Sequence, residues 1–457
     1  MGGDRRLAWT VLVLLAAPIA AADGDLDDDD FYPPNGFVLG PLRSGGGGEV
    51  AGPVLAPDGA AVLFFGESWS PFAGEGLAEW IAVTATAVSP PCALEFGDRL
   101  LAADALFDEA GRLVVAGAVR YEGVGYRPFV ARFLYPDCTL DASFDGDGFF
   151  TIGAFTGLAR RLARVRVQVF PGIFVERVVL GGDAMVGSDP TVFLVRLRGD
   201  GSLDSSFGGG DGLITLSGGG EFLTLEDLEV DASGGLLLLS TLDQNGGSDT
   251  DLLLVRRQPD GEPDSSFGFL GVVLFFQGAT DHRETSGRLV VAPDGDLYVG
   301  GSSSIDGGSR LAINRFSTDG GRLDEWTWDT AAADSVEGLE IQGGGRLILT
   351  GRTDAYDGDI DLYALARTLP GLAPDPWWGD GTSPRTYVSL DLFFAGGGDD
   401  HCSPGLALLD GLPAIGGQSE DTNSGLWVPW LVRLESALVF TGDFEAGSSA
   451  AWSSTVP

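Results

Sequence analysis

Short apolar runs ending in a small residue recur along the chain: Val62 to Gly66, Leu113 to Gly117, Val178 to Gly182, Leu236 to Ser240, Leu297 to Gly301, Leu347 to Gly351 and Pro413 to Gly417. Each is followed at a near-constant offset by a second apolar run, which in most copies carries an arginine. These runs are Phe129 to Phe133 with Arg132, Phe193 to Leu197 with Arg196, Leu252 to Arg257 with Arg256, Ile313 to Phe316 with Arg315, Leu365 to Arg367, and Leu431 to Leu434 with Arg433. The first copy, Trp80-Ile81-Ala82-Val83, lacks the arginine. Two landmarks that keep one offset through seven copies define a tandem repeat of about 60 residues.

Turn signals divide each copy further. Pro57-Asp58-Gly59 and Pro293-Asp294-Gly295 precede the first landmark, and Asp-Gly between apolar runs marks a hairpin. After the arginine run, Asp200-Gly201, Asp260-Gly261 and Asp319-Gly320 lead into Leu203-Asp204-Ser205-Ser206-Phe207, Pro263-Asp264-Ser265-Ser266-Phe267 and Leu323-Asp324-Glu325-Trp326. A last strand follows, as at Gly148 to Ile152, Gly212 to Leu216 and Gly271 to Phe276. Helical periodicity is scarce, so each copy reads as four strands. Radial closure protects sheet edges that a linear stack leaves open. The predicted fold is therefore all-β, a seven-bladed β-propeller of four-stranded blades over residues 35–439. The seventh copy stops soon after Arg433, whereas Asn35-Gly36-Phe37-Val38-Leu39-Gly40 resembles an orphan final strand, so the N-terminal strand is expected to close the last blade.

Outside the repeats, Arg5 and Arg6 precede an apolar run from Leu7 to Ala17 and small residues ending at Ala22, the pattern of a secretory signal over residues 1–22. Residues 23–34 read as an acidic, disordered leader and 440–457 as a C-terminal tail. Secreted, periplasmic or cell-surface placement follows, with no transmembrane anchor. The formal charge is -39; the signal segment holds one Asp and two Arg, so its removal gives -40. The 27 basic residues are all Arg among 66 acids, which disfavours a nucleic-acid partner. The absence of Lys excludes Schiff-base chemistry, and His282 and His401 leave little for acid–base work. An oxidising compartment allows a disulfide, and Cys92 and Cys138 form the candidate pair because both lie just past the same strand of adjacent repeats, weighed against the alternative that all three cysteines are buried small hydrophobes. Cys402 remains as an odd thiol.

The phrase Asp200-Gly201-Ser202-Leu203-Asp204-Ser205-Ser206-Phe207-Gly208 and its copies resemble the delta-60 repeat of secreted bacterial proteins. That resemblance spans roughly residues 35 to 439 and is specific in copies two to four. Copy five has Trp326 and copy six Asp375-Pro376-Trp377 where the pattern has Ser-Phe. The resemblance implies a β-propeller of unknown function and carries over no catalytic residue. The tail from Phe440 to Gly447, with Trp452, is similar to an F-x-x-G/D-F-E-x-G-x-x-x-x-W ending of some exported bacterial proteins.

Three residue sets offer chemistry. The recurring arginines 132, 196, 256, 315, 367 and 433 stand beside recurring Asp141, Asp204, Asp264, Asp324 and Asp375. The choice is between a ring of anion sites and ion pairs inside each blade, and the pairs are the expectation. Asp357, Asp359 and Asp361 have the oxygen-rich character of a calcium site without the spaced calcium-loop pattern, and calcium is the one cofactor considered. Trp377, Trp378, Trp427 and Trp430 are ligand-contact candidates, weighed against packing between blades. No catalytic residue is assigned. The expectation is a monomeric binding or scaffold propeller for an extracellular protein or glycan. The alternative is a secreted hydrolase or oxidoreductase with carboxylates at the channel mouth.

Overall fold

The computed structural model describes residues 37–39, 48–59, 61–69, 76–84, 89, 92–94, 99–243, 250–275, 284–305, 308–330, 334–342, 345–353, 361–368, 371–374, 385–388, 400–402, 406–409, 412–421 and 426–433. Segments 1–34 and 440–457, together with Asp357, Asp359, Trp377 and Trp378, lie outside these residues.

The architecture is all-β and built from antiparallel four-stranded units. Three sheets are plain four-stranded meanders: Thr156–Phe170, Ile173–Val186, Asp189–Leu197 and Leu213–Ser217; then Phe222–Val230 to Val272–Phe275; then Glu284–Val291 to Arg322–Thr330. A nine-stranded sheet carries the first two hairpin units, joined by a parallel bridge between Gly76 and Arg99. The sheet starting at Ser335–Gln342 gains a fifth strand through Arg385–Val388. In the remaining sheet Phe37–Leu39 pairs antiparallel with Leu426–Arg433, in the register Phe37 to Val432, Val38 to Leu431 and Leu39 to Trp430. The first and last described strands thus share one sheet, and Gly48–Leu55 adjoins Leu412–Asp421 beside it.

Sequence pattern and packing agree on why these runs are strands. The second strand of each unit is apolar without alternation, as in Leu236-Leu237-Leu238-Leu239, where every side chain is buried. Both faces of such a strand are covered, so period-two patterning has no solvent side to mark. The cores lie between sheets. Val114, Ala116, Val130 and Phe144 of one sheet pack with Leu162, Leu180 and Phe193 of the next. The same happens one step on, where Val179, Leu194 and Phe207 meet Leu225, Leu228 and Leu238. Each sheet is stabilised by its neighbours, the expected behaviour of repeats that cannot bury their apolar faces alone.

Cys92 opens the strand Cys92–Leu94 and Cys138 lies in the turn after Gly125–Leu134. Their sulfurs are bonded, with Cα atoms 5.5 Å apart, and the bond ties the first unit to the second.

Candidate functional site

The recurring arginine is a structural clasp. Arg196 is buried; its Nε donates to Asp204 Oδ2 at 3.0 Å, its Nη2 to Ser206 Oγ at 2.8 Å, and its Nη1 to the Pro259 carbonyl of the following sheet. Arg132 repeats the arrangement with Asp141, Ser143 and the Gly199 carbonyl. Each guanidinium lies 4.7 Å from the ring centre of Phe207 or Phe144. Arg256 reaches the Thr318 carbonyl at 2.8 Å and Asp264 at 3.4 Å, but binds Asp231 more closely. Where Ser-Phe is replaced, the pattern changes: Arg315 pairs with Asp296. Burial opposes ionisation of Asp204, yet hydrogen bonds from Ser206 and the neighbouring Arg177 and Arg196 hold it down at about 2. With all three guanidinium nitrogens of Arg196 and of Arg132 engaged in this way, these side chains are not arranged as an anion site.

A different set of charges gathers on the first strands of the sheets, which run side by side. The residue paired with the fourth position of each apolar second strand is Gly52, Asp104, Arg161, Asp227, Arg288 or Gly338. Acid and base alternate over four successive sheets. A β-bulge lies at or next to this point in each of these strands, and bulges re-aim side chains. Asp104 Oδ2 accepts the Leu162 N–H at 2.6 Å, and Asp227 Oδ2 accepts the Leu289 N–H at 2.8 Å. Arg161 Nε donates to Asp227 Oδ1 at 3.2 Å, and Arg288 Nε to the Glu337 carbonyl at 2.7 Å. These bonds satisfy strand edges that no fifth strand covers, which buried backbone groups require. They also make a polar hoop from one sheet to the next.

Within this hoop lies a cavity of about 210 Å³, lined among others by Asp227, Arg288, Glu229 and Glu340. Glu229 and Glu340 stand two residues beyond Asp227 and Gly338 on their strands. Among the described residues neither forms an ion pair with an arginine; Glu340 Oε1 accepts only the adjacent Ile341 N–H, at 3.2 Å. Burial, with Asp227 adding repulsion, pushes Glu340 up to about 7. Burial and the charges of Asp227 and Glu340 push Glu229 upward as well. Asp104, raised by burial against the pull of Arg161, lies at about 6. Glu229 also borders a second cavity of about 380 Å³, whose walls include Glu109, Arg164, Arg166 and Glu176, and it lines both spaces together with Leu162 and Leu228.

Of the metal and ligand-contact candidates singled out from sequence, Asp361, Trp427 and Trp430 are described, and none of them lines either cavity. Asp361 opens the strand Asp361–Thr368; Trp427 and Trp430 lie on Leu426–Arg433, opposite Glu420 and Gly417. Among the described residues, no group of three or more His, Cys, Asp or Glu is placed to hold a metal ion. No described helix is long and apolar enough to cross a membrane. The carboxyls at the cavity are absent from the sequence-derived candidates. Aligning copies on their second strands and reading the opposing first strands would have exposed them, but the bulges break the two-residue period there.

The family model described as "Domain of unknown function (DUF5122) beta-propeller" matches residues 177–207 and 292–321. Both matches contain the second strand and arginine run of a repeat. No curated protein matches the chain. Among solved structures, the polysaccharide lyase Uly1 is 10% identical, with 82% of this chain and 88% of that one covered and a TM-score of 0.48. A PL25 ulvan lyase bound to a GlcA–Rha3S unit is 11% identical, with 69% and 80% covered and a TM-score of 0.46. A variant of the NanB sialidase from Streptococcus pneumoniae is 11% identical, with 92% and 71% covered and a TM-score of 0.43.

Proposed function

We propose that the chain closes as a seven-bladed β-propeller, with Phe37–Leu39 completing the last blade, and acts outside the cell as a glycan-binding module. Closure is supported by the pairing of the first described strand with the last and by the contact of Gly48–Leu55 with Leu412–Asp421. The observation that carries the binding reading is the Glu229 and Glu340 pair at a cavity bounded by guanidinium and carboxylate groups. Carboxyls with raised pKa values donate as acids and accept as carboxylates near neutral pH, and sugar hydroxyls do both. A space of about 210 Å³ is smaller than the roughly 300–1,000 Å³ of a drug-sized pocket, and suits one terminal sugar ring.

Calorimetric titration against a panel of neutral and acidic oligosaccharides tests this. Binding that weakens in Glu229→Gln and Glu340→Gln supports it; equal affinity in both variants overturns it. The raised carboxyls also favour a second reading, glycoside hydrolysis with one group as acid and the other as base. Release of reducing ends by the wild type, lost in either variant, would make the module an enzyme.

A further inference from the structure

One hairpin departs from the repeat. In the sheet beginning at Glu284–Val291, the first-strand pairing ends at Val291 and Leu297. The equivalent pair, Arg164 with Val178, is followed by further rungs: Val165 with Arg177, Arg166 with Glu176, Val167 with Val175, Gln168 with Phe174, and Phe170 with Ile173. This ribbon turns on Pro171-Gly172, with Gly172 at φ +77°. Proline and glycine at those two central positions are the type II combination. Neighbouring turns brace its root. Arg166 Nε donates to Glu109 Oε1 at 2.5 Å, the Glu109 N–H donates to Glu176 Oε2 at 2.9 Å, and a Cβ on Gly234 would lie 3.4 Å from the Arg166 carbonyl. Above that level Gln168 through Phe174 are all exposed, including Phe170 at 67%, Phe174 at 57%, Ile173 at 54% and Val169 at 40%.

We propose that this ribbon is an interfacial membrane anchor whose apolar tip enters an anionic lipid leaflet. Four large side chains around a two-residue turn form a narrow, convex tip, far below the roughly 800 Å² per partner of a stable protein interface. Lipid demands no shape complementarity, only apolar side chains on a backbone whose polar groups are satisfied. The ladder meets that demand up to Phe170 and Ile173 except at Val169, which a bulge between Gln168 and Phe170 leaves outside the register. Arg164 and Arg166, with side chains 48% and 71% exposed, stand at the root, at the depth of lipid phosphates. The Arg166–Glu109 pair, exposed on both sides, costs little to exchange for phosphate, whereas Glu176 beside Arg164 is only 17% exposed. The tip extends about four residues beyond the braced level, roughly 13 Å at 3.3 Å per residue. Arg164, Arg166 and Glu229 border one cavity, so docking by the ribbon brings that cavity towards the membrane.

Flotation of the full-length protein with phosphatidylcholine vesicles containing one third phosphatidylglycerol tests the proposal. The wild type is expected to float with the vesicles, and the double variant Phe170→Asp, Phe174→Asp to lose affinity by at least about tenfold, since interfacial binding scales with buried apolar area. Arg166→Gln should weaken binding to these vesicles more than to pure phosphatidylcholine. Circular dichroism and melting must match wild type; if the double variant misfolds, Phe170→Ser alone serves. A wild type that stays in solution, or apolar-tip variants that float equally well, overturns the proposal. So does lipid-free self-association, measured by sedimentation velocity, that the double variant abolishes.

Discussion

The guanidinium of Arg196 lies over the Phe207 ring with its central carbon 4.7 Å from the ring centroid, while its Nη1 reaches the Pro259 carbonyl of the following sheet. Phe207 in turn abuts the turn of that sheet: a Cβ on Gly261 would lie 2.9 Å from the ring. One arginine and one phenylalanine therefore link a sheet to its successor through charge, stacking and contact with a glycine whose φ is +93°. The repeated Asp-Gly and Leu-Asp-x-Ser-Phe phrases are two halves of the same junction.

Removing Arg196 strands Asp204 with fewer partners in a buried position. Arg196→Ala is expected to destabilise by about 2–3 kcal/mol, the scale of a lost charged hydrogen bond, with Arg177 limiting the damage. Gly261→Ala, which meets both the ring and the positive φ, should cost about 1–3 kcal/mol. Thermal melting of each variant checks these values, and wild-type behaviour of both would show that the junction is not stabilising.

The Cys92–Cys138 bond closes a 46-residue span. By chain entropy alone such a crosslink contributes about 4 kcal/mol. Cys92→Ser with Cys138→Ser should lower the melting temperature. The same result is expected when wild type is melted in reductant, and an unchanged transition in both would contradict it.

Glu340, at about 7, binds its proton more tightly in the fold than in the unfolded chain. Its contribution to stability is complete below the unfolded value of about 4.3 and is lost as pH rises through about 7. Asp204 has the opposite sign: held at about 2, it stabilises above its unfolded value and loses this as pH falls through about 2. Melting temperature measured from pH 4 to pH 8 should decline in wild type and decline less in Glu340→Gln. Parallel curves would show that the carboxyl is solvated in the fold.

Phe37–Leu39 is the element most distant in sequence from its partner strand. Deleting Phe31 to Leu42 removes that pairing and leaves the outer edge of Leu426–Arg433 unpaired. The whole protein is expected to melt cooperatively at a lower temperature, and an unaltered melting curve would refute the clasp.

What the chain determined by itself is periodic. Apolar second strands such as the one opening Leu236-Leu237-Leu238-Leu239 need no partner to be recognised, because both faces must be buried there and those four residues are unbroken. Asp-Gly turns and the Arg196 with Asp204 pairing are equally local, separated by only eight residues, so spacing revealed them. The cavity was different. Asp104, Arg161, Asp227 and Arg288 lie in separate repeats, and Glu229 and Glu340 are far apart in sequence; only the side-by-side packing of first strands brings them to one space. Bulges before these positions shift the strand phase, so no alternation marks them in advance. The raised pKa values arise from burial by several sheets at once, a property that no single repeat possesses and that tertiary structure alone decides.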